Sequence, residues 1–176
     1  MPQSYVTDGK FAREAVADTL RKWLDAVLPQ SKLALQYEVR TQATEPSASE
    51  AEFESPEVVV VLRGSDQGLL LERNAELLLA LEYLAVRSLR LEPPFFDRVR
   101  FDAGNYREQR ITELKLAAQA AAGRVRETRQ AFRFNPMAAR ERRVVHLALK
   151  DLPGIRTSSD GQGDERRVVI YPSEQK

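Results

Sequence analysis

Apolar residues recur along this chain with two alternating periods. From Phe11, the positions Ala15, Leu20, Trp23, Leu24, Val27 and Leu28 return at roughly 3.6-residue spacing, which predicts an amphipathic helix over 9–28 that Pro29 ends. Leu33, Leu35, Tyr37 and Val39 then alternate with smaller or polar residues, a half-buried strand over 32–40. "TEPSASEAEFESPE" (44–57) has no core-forming period and reads as a loop, and its five glutamates would repel nucleic acid. "VVVVL" (58–62) is a buried strand. A short helix over 68–73 and a second over about 75–91 follow, the second with Leu78, Leu81, Leu84 and Leu89 on its core side and Leu77 and Tyr83 on its flanks. "EPPFF" (92–96) breaks that helix, and "DRVRFDAG" (97–104) alternates as a third strand. The order over 9–102 is α-β-β-α-α-β.

A second set of elements begins at Asn105, which can cap a long helix to about Thr128 with the stripe Tyr106, Leu114, Ala117, Ala118, Ala121 and Val125. "AFRF" (131–134) reads as a short strand. Asn135-Pro136 is a start signal, N-cap then proline, for a helix from Pro136 to about Lys150. Two strands, around 154–158 and 166–171, close the unit through the glycine-containing hairpin "SDGQGDE". The pattern predicts an α+β protein of two small units, 9–102 and 103–172.

Composition removes several classes of chemistry. The chain of 176 residues has no cysteine and one histidine, which excludes disulfides, thiolate nucleophiles and histidine-rich metal centres, so no metal and no cofactor is expected. Its longest apolar runs are too short to span a bilayer, and the start has no basic segment leading into an apolar one. A cytoplasmic protein without membrane insertion is therefore expected. Charge is unevenly spread. Residues 1–96 hold 10 Lys/Arg against 15 Asp/Glu, a net −5, and residues 97–176 hold 17 against 11, a net +6. A basic C-terminal half fits a polyanionic partner, although an ordinary bipolar surface fits as well.

The single histidine stands in "ERRVVHLAL" (141–149). At about 100° per residue, Arg142, His146 and Lys150 fall on one stripe with Arg143 beside it, while Val144, Val145, Leu147 and Leu149 face elsewhere. Cations at this spacing can follow a phosphate backbone, and an imidazole adds a hydrogen bond or a stacking face. A solvated basic helix face has the same pattern, and charge alone favours that plainer reading. Arg166 and Arg167 open the last strand as a second basic edge, and Thr157, Ser158 and Ser159 offer hydroxyls to phosphate oxygens. Glu141 points to the apolar side and needs a partner there, with Arg107 and Arg110 as candidates for an internal ion pair.

The stretch "NPMAARERRVVHLALKDLPGIRTSSDGQGDERRVVIYP" (135–172) resembles the R-three-H domain, named for its Arg-x-x-x-His. "FDAGNYREQRITELKLAAQAAAGRVRETRQ" before it resembles the preceding helix of the bacterial Jag (SpoIIIJ-associated) proteins. In that family a KH domain comes first, and the α-β-β-α-α-β order of 9–102 is that of the second KH type. The resemblance implies binding to single-stranded RNA or DNA, RNA by analogy, with Arg142 and His146 as the signature pair and weak sequence preference. It also implies pairing through the first unit, with a second copy or a small KH protein. The family's N-terminal extension has no counterpart in this sequence, so no membrane-associated role is expected. One departure stands out. KH domains clamp a backbone with a Gly-x-x-Gly loop, whereas here the loop reads Glu72-Arg73-Asn74-Ala75, with a carboxylate where a phosphate should lie. Weak or absent nucleic-acid binding by the first unit follows.

Two other functions compete. An RNA-cleaving enzyme would use His146 as general base, but the stripe offers only Arg and Lys beside it and no second acid or base, so no enzyme is expected. A protein-interaction adaptor with a vestigial nucleic-acid site would suit the degenerate loop and the apolar second helix. The adaptor should tolerate loss of Arg142, and a nucleic-acid binder should not.

Overall fold

The computed structural model describes residues 5–7, 10–41 and 56–173 and divides the chain into two compact units, Met1–Arg107 and Glu108–Lys176. Both mix helix and strand. Most of the glutamate-rich loop read at 44–57 lies outside the described residues.

The first unit opens with a two-stranded hairpin, β1 (Val6–Thr7) and β2 (Lys10–Phe11), which the helical spacing from Phe11 concealed. Helix α1 (Arg13–Ser31) therefore begins four residues later than the pattern predicts. It also runs past Pro29, since a proline in the last turn removes only its own amide bond, and Lys32 then ends the helix in the left-handed conformation (φ 57°). Val16, Ala17, Leu20, Leu24 and Leu28 form its buried stripe.

Strand β3 (Gln36–Arg40) runs antiparallel to β4 (Val58–Arg63), which runs parallel to β5 (Val99–Asp102), in the sheet order β3-β4-β5. Parallel neighbours need a long crossover. Here it is the helical run Gln67–Ser88, broken at residues 72–75 into α2 (67–71) and α3 (76–88), followed by a 3₁₀ turn at Pro93–Arg98. The α-β-β-α-α-β order is thus observed. At the end of β4, Gly64 has φ 147°, and a Cβ there would stand 2.0 Å from the Ala34 carbonyl oxygen. Only glycine fits that approach.

The inward face of α3 differs from the leucine stripe expected. Leu78, Glu82, Ala85 and Val86 are buried, while Leu84 is 55% exposed. The rotation has an electrostatic cause. Glu82 sits in the core because its Oε2 accepts from the Phe101 amide (2.9 Å) and from Arg107 Nη2 (2.6 Å). Arg107 Nε in turn donates to the Phe101 carbonyl (3.2 Å). Strand β5 is an edge strand, so Phe101 would otherwise leave its outward amide and carbonyl unpaired, and the Glu82–Arg107 pair closes both.

The second unit holds most of α4 (Tyr106–Thr128), then β6 (Phe132–Arg133), α5 (Ala139–Ala148), β7 (Ile155–Asp160) and β8 (Arg167–Pro172). Its sheet has the order β6-β8-β7, antiparallel throughout. On α4, Ile111 and Ala122 are buried and Ala117 is exposed, again a small rotation from the predicted stripe. Asn105 is not a capping residue in the extended conformation. It lies at φ 57°, and the carboxylate of Asp102 approaches the Arg107 amide (3.4 Å).

Helix α5 starts three residues after Pro136, because the preceding backbone is committed to β8. The Phe134 amide donates to the Val168 carbonyl (3.0 Å) and the Met137 amide to that of Arg166 (3.1 Å). Glu141 reaches back to the Ala138 amide (3.1 Å), the carboxylate half of a capping box. The helix ends at Ala148, so Lys150 lies beyond it. No helix of the described residues is long and apolar enough to cross a membrane.

Replacing Glu82 by alanine should lower stability by about 3 kcal/mol or more, since it strands a half-buried guanidinium and a strand amide together. Urea unfolding of Glu82→Ala beside Glu82→Gln, which retains one acceptor, measures this, and the glutamine variant should lose clearly less.

Candidate nucleic-acid interface

Arg142 and His146 are one helical turn apart on α5, and each is fixed by a different part of the chain. The imidazole is half-buried against β7, with Nδ1 2.7 Å from Thr157 Oγ1 and Nε2 2.8 Å from Ser159 Oγ. In the neutral ring one nitrogen donates to a hydroxyl and the other accepts from one. Both polar edges of the only histidine are therefore spent on joining α5 to β7, and neither edge is open to a base.

Arg142 Nη1 donates to the Met137 carbonyl (2.9 Å), and the Met137 amide is bonded to Arg166. Met137 thus links the Arg142 guanidinium to the backbone at Arg166, and the Arg166 charge lies within electrostatic reach of Arg142. Desolvation and then the Arg166 charge lower the pKa of Arg142, and desolvation and then Arg142 lower that of His146. Among the described residues neither Arg142 nor Arg166 has a carboxylate partner. Two adjacent guanidinium groups without a countercharge repel each other, and an anion between them relieves that repulsion.

The remaining expected residues divide. Arg143 and Lys150 are exposed, Arg143 near Arg142 in sequence and Lys150 past the helix end. Arg167 is compensated, its Nη2 2.9 Å from Glu165. Ser158 lies on the face of β7 opposite to Thr157 and Ser159, and donates to Asp160 Oδ1 (2.8 Å). Glu141 has the partner foreseen for it in Arg110, whose Nε donates to Glu141 Oε1 (2.7 Å). Arg107 belongs to Glu82 instead. That ion pair ties α4 to α5. Burial works against the Arg110 charge, and the bonds to Glu141 and Glu113 outweigh it and raise the pKa.

A basic helix clipped through its histidine to a three-stranded antiparallel sheet defines the class, and residues 112–172 match the family model of the R-three-H domain. The chain is 30% identical over 158 residues to "RNA-binding protein KhpB" of Clostridium symbiosum, covering 90% of this chain and 67% of that protein. It is 32% identical over 111 residues to the protein of the same name from Bacillus subtilis (strain 168), covering 62% of this chain and 53% of the relative. For that of Lactiplantibacillus plantarum the figures are 31% over 104 residues, 59% and 32%. The chain belongs to this family, the Jag proteins. It spans two thirds of the first relative, about half of the second and a third of the third.

Because the folded pKa of His146 lies below 6.5, its contribution to stability is complete above pH 6.5 and is lost as the pH falls from there through the folded pKa. With one histidine in the chain, the effect is separable from the carboxylates, which titrate near pH 4. Thermal unfolding should show a falling midpoint from pH 7.5 towards 5.5 in the wild type (about those limits, bracketing the imidazole range). The slope should flatten in His146→Gln.

Proposed function

We propose that this protein binds single-stranded RNA through its second unit, with Arg142 and Arg166 holding a phosphate and Arg143 and Lys150 extending the positive field along the strand. The observation that carries the reading is the Arg142–Arg166 pair, without a carboxylate partner among the described residues and joined at Met137, which binds the Arg142 guanidinium and the Arg166 carbonyl. The names of the relatives supply RNA as the ligand, since no group at the site reads a 2′-hydroxyl. Contacts to phosphate carry no sequence information, so preference among sequences is weak.

His146 acts here as a positioning residue. Its bonds to Thr157 and Ser159 set where α5 carries Arg142, and those two hydroxyls serve the imidazole before any phosphate. The same occupancy argues against a general base, which needs a free acceptor towards its substrate. Ser158 and Arg167 contribute to the sheet rather than to this edge.

The first unit is read as the KH-like partner of the R-three-H domain, without a strand clamp of its own. In its loop Glu72 is extended, and Arg73, Asn74 and Ala75 are all left-handed (φ 51°, 61° and 61°), with Ala75 fully buried and the Tyr106 hydroxyl donating to the Asn74 carbonyl (3.0 Å). The loop thus has the glycine-type backbone without glycines. It spends one side chain on the core and carries a carboxylate outward.

Fluorescence anisotropy with labelled single-stranded RNA, single-stranded DNA and duplex, across salt, tests the proposal. Wild type should bind single strands with a steep salt dependence. Arg142→Gln with Arg166→Gln should weaken binding by about tenfold or more and flatten the logarithmic salt slope by about 0.7 for each phosphate no longer held, with the thermal midpoint nearly unchanged. His146→Ala should lower the midpoint and the affinity together. An Arg142→Gln/Arg166→Gln protein that binds like wild type would refute the assignment.

A further inference from the structure

The face of the second sheet turned away from α5 carries chemistry that the Arg142 edge does not use. Since Thr157 and Ser159 point to His146, the alternation of β7 sends Arg156, Ser158 and Asp160 to the other side. Register adds the rest. Tyr171 is directly opposite Arg156, and Arg133 of β6 is opposite Val169, itself opposite Ser158. Val169 is fully buried at the centre of this face, with the polar side chains around it.

The Arg156 guanidinium lies over the Tyr171 ring, 4.3 Å from its centroid. The ring is held from its far end, where the hydroxyl donates to Asp160 Oδ2 (2.6 Å) while Ser158 donates to Oδ1. Those two bonds, with Arg133 and Arg156 adding to them, keep the Asp160 carboxyl below its ordinary pKa. Asp160 is thus a fixed anchor for the tyrosine, and its charge offsets only part of that of the arginines.

Arg133 and Arg156 are exposed, and among the described residues neither has a carboxylate within ion-pair distance. Arg133 also lines a surface recess of about 200 Å³ together with Arg124, Thr128 and Gln130. A guanidinium held over an aromatic ring and exposed to solvent is a stacking platform for a nucleobase, and a two-arginine recess at strand β6, the neighbour of β8, suits a phosphate.

We propose that this face is a second contact surface for a single strand of RNA, on which a base stacks on Arg156 over Tyr171 while Arg133, with Arg124 beside it, holds a neighbouring phosphate. The assignment rests on the reading that the second unit binds single-stranded RNA, and adds a base-dependent contact to the phosphate contacts at Arg142 and Arg166.

The test uses the full chain with a labelled oligouridylate and the same strand made abasic, each across salt. Arg156→Gln should lower affinity for the base-bearing strand about tenfold more than for the abasic strand, the scale of one stacked base. Arg133→Gln should weaken both strands and reduce the salt slope by about 0.7. Both side chains are exposed, so circular dichroism and the thermal midpoint should match wild type. If Arg156→Gln and Arg133→Gln bind both strands like wild type while Arg142→Gln/Arg166→Gln does not, the second surface is wrong and the first reading stands. If wild type binds neither strand at low salt, both fall.

Discussion

The imidazole of His146 is the constraint on which the second unit's interface depends. A short helix packed on a three-stranded sheet by Val144, Val145 and Leu149 can slide or rotate with little loss of apolar contact, because the hydrophobic effect is not directional. Two hydrogen bonds between one planar ring and two hydroxyls on alternate residues of β7 remove that freedom. The clip fixes the rotation of α5, and with it the position of Arg142 one turn earlier. Met137, bonded to the Arg142 guanidinium through its carbonyl and to the Arg166 carbonyl through its amide, then brings the backbone that carries the second charge next to the first. A like-charge pair of this kind is unfavourable until an anion joins it.

The first unit solves a different problem with similar means. A mixed sheet of three strands leaves β5 as an edge, and an edge strand is a template for unwanted pairing. Glu82 and Arg107 occupy the free hydrogen-bonding groups of Phe101 and each other, which turns a polar edge into a closed ring of bonds. That ring brings a carboxylate into the core side of α3, and the rotation exposes Tyr83 and Leu84 at 58% and 55%. In both units a charged or polar side chain, rather than an apolar contact, decides how a helix is turned on its sheet.

Alternate residues of β7 serve two surfaces. Thr157 and Ser159 hold the helix that presents Arg142, and Arg156, Ser158 and Asp160 build the opposite face around Tyr171. A strand of only six residues thus organises both cationic regions of the unit, and a one-residue slip against β8 would exchange their roles.

Apart from the hairpin that opens the first unit, the sequence by itself determined the type and order of the main helices and strands, because helical and strand periods follow from backbone geometry and the apolar residues report them. It placed Arg142 and His146 one turn apart on one helix, though not the end of that helix before Lys150, offered Glu141 its partner Arg110, and located the break at residues 72–75. It misplaced the starts of α1 and α5. A hairpin at Phe11 and the bonds of Phe134 and Met137 to β8 are contacts with residues distant in sequence or outside the helical period, and local signals such as Asn135-Pro136 do not contain them. Only the tertiary structure decided that both nitrogens of His146 are occupied, that Thr157 and Ser159 are the hydroxyls that occupy them, and that the charge of Arg166 reaches Arg142. Hydrogen-bond partners and charge pairs are set by how strands align in space, and a one-dimensional pattern records which residues can face inward but not what they meet there.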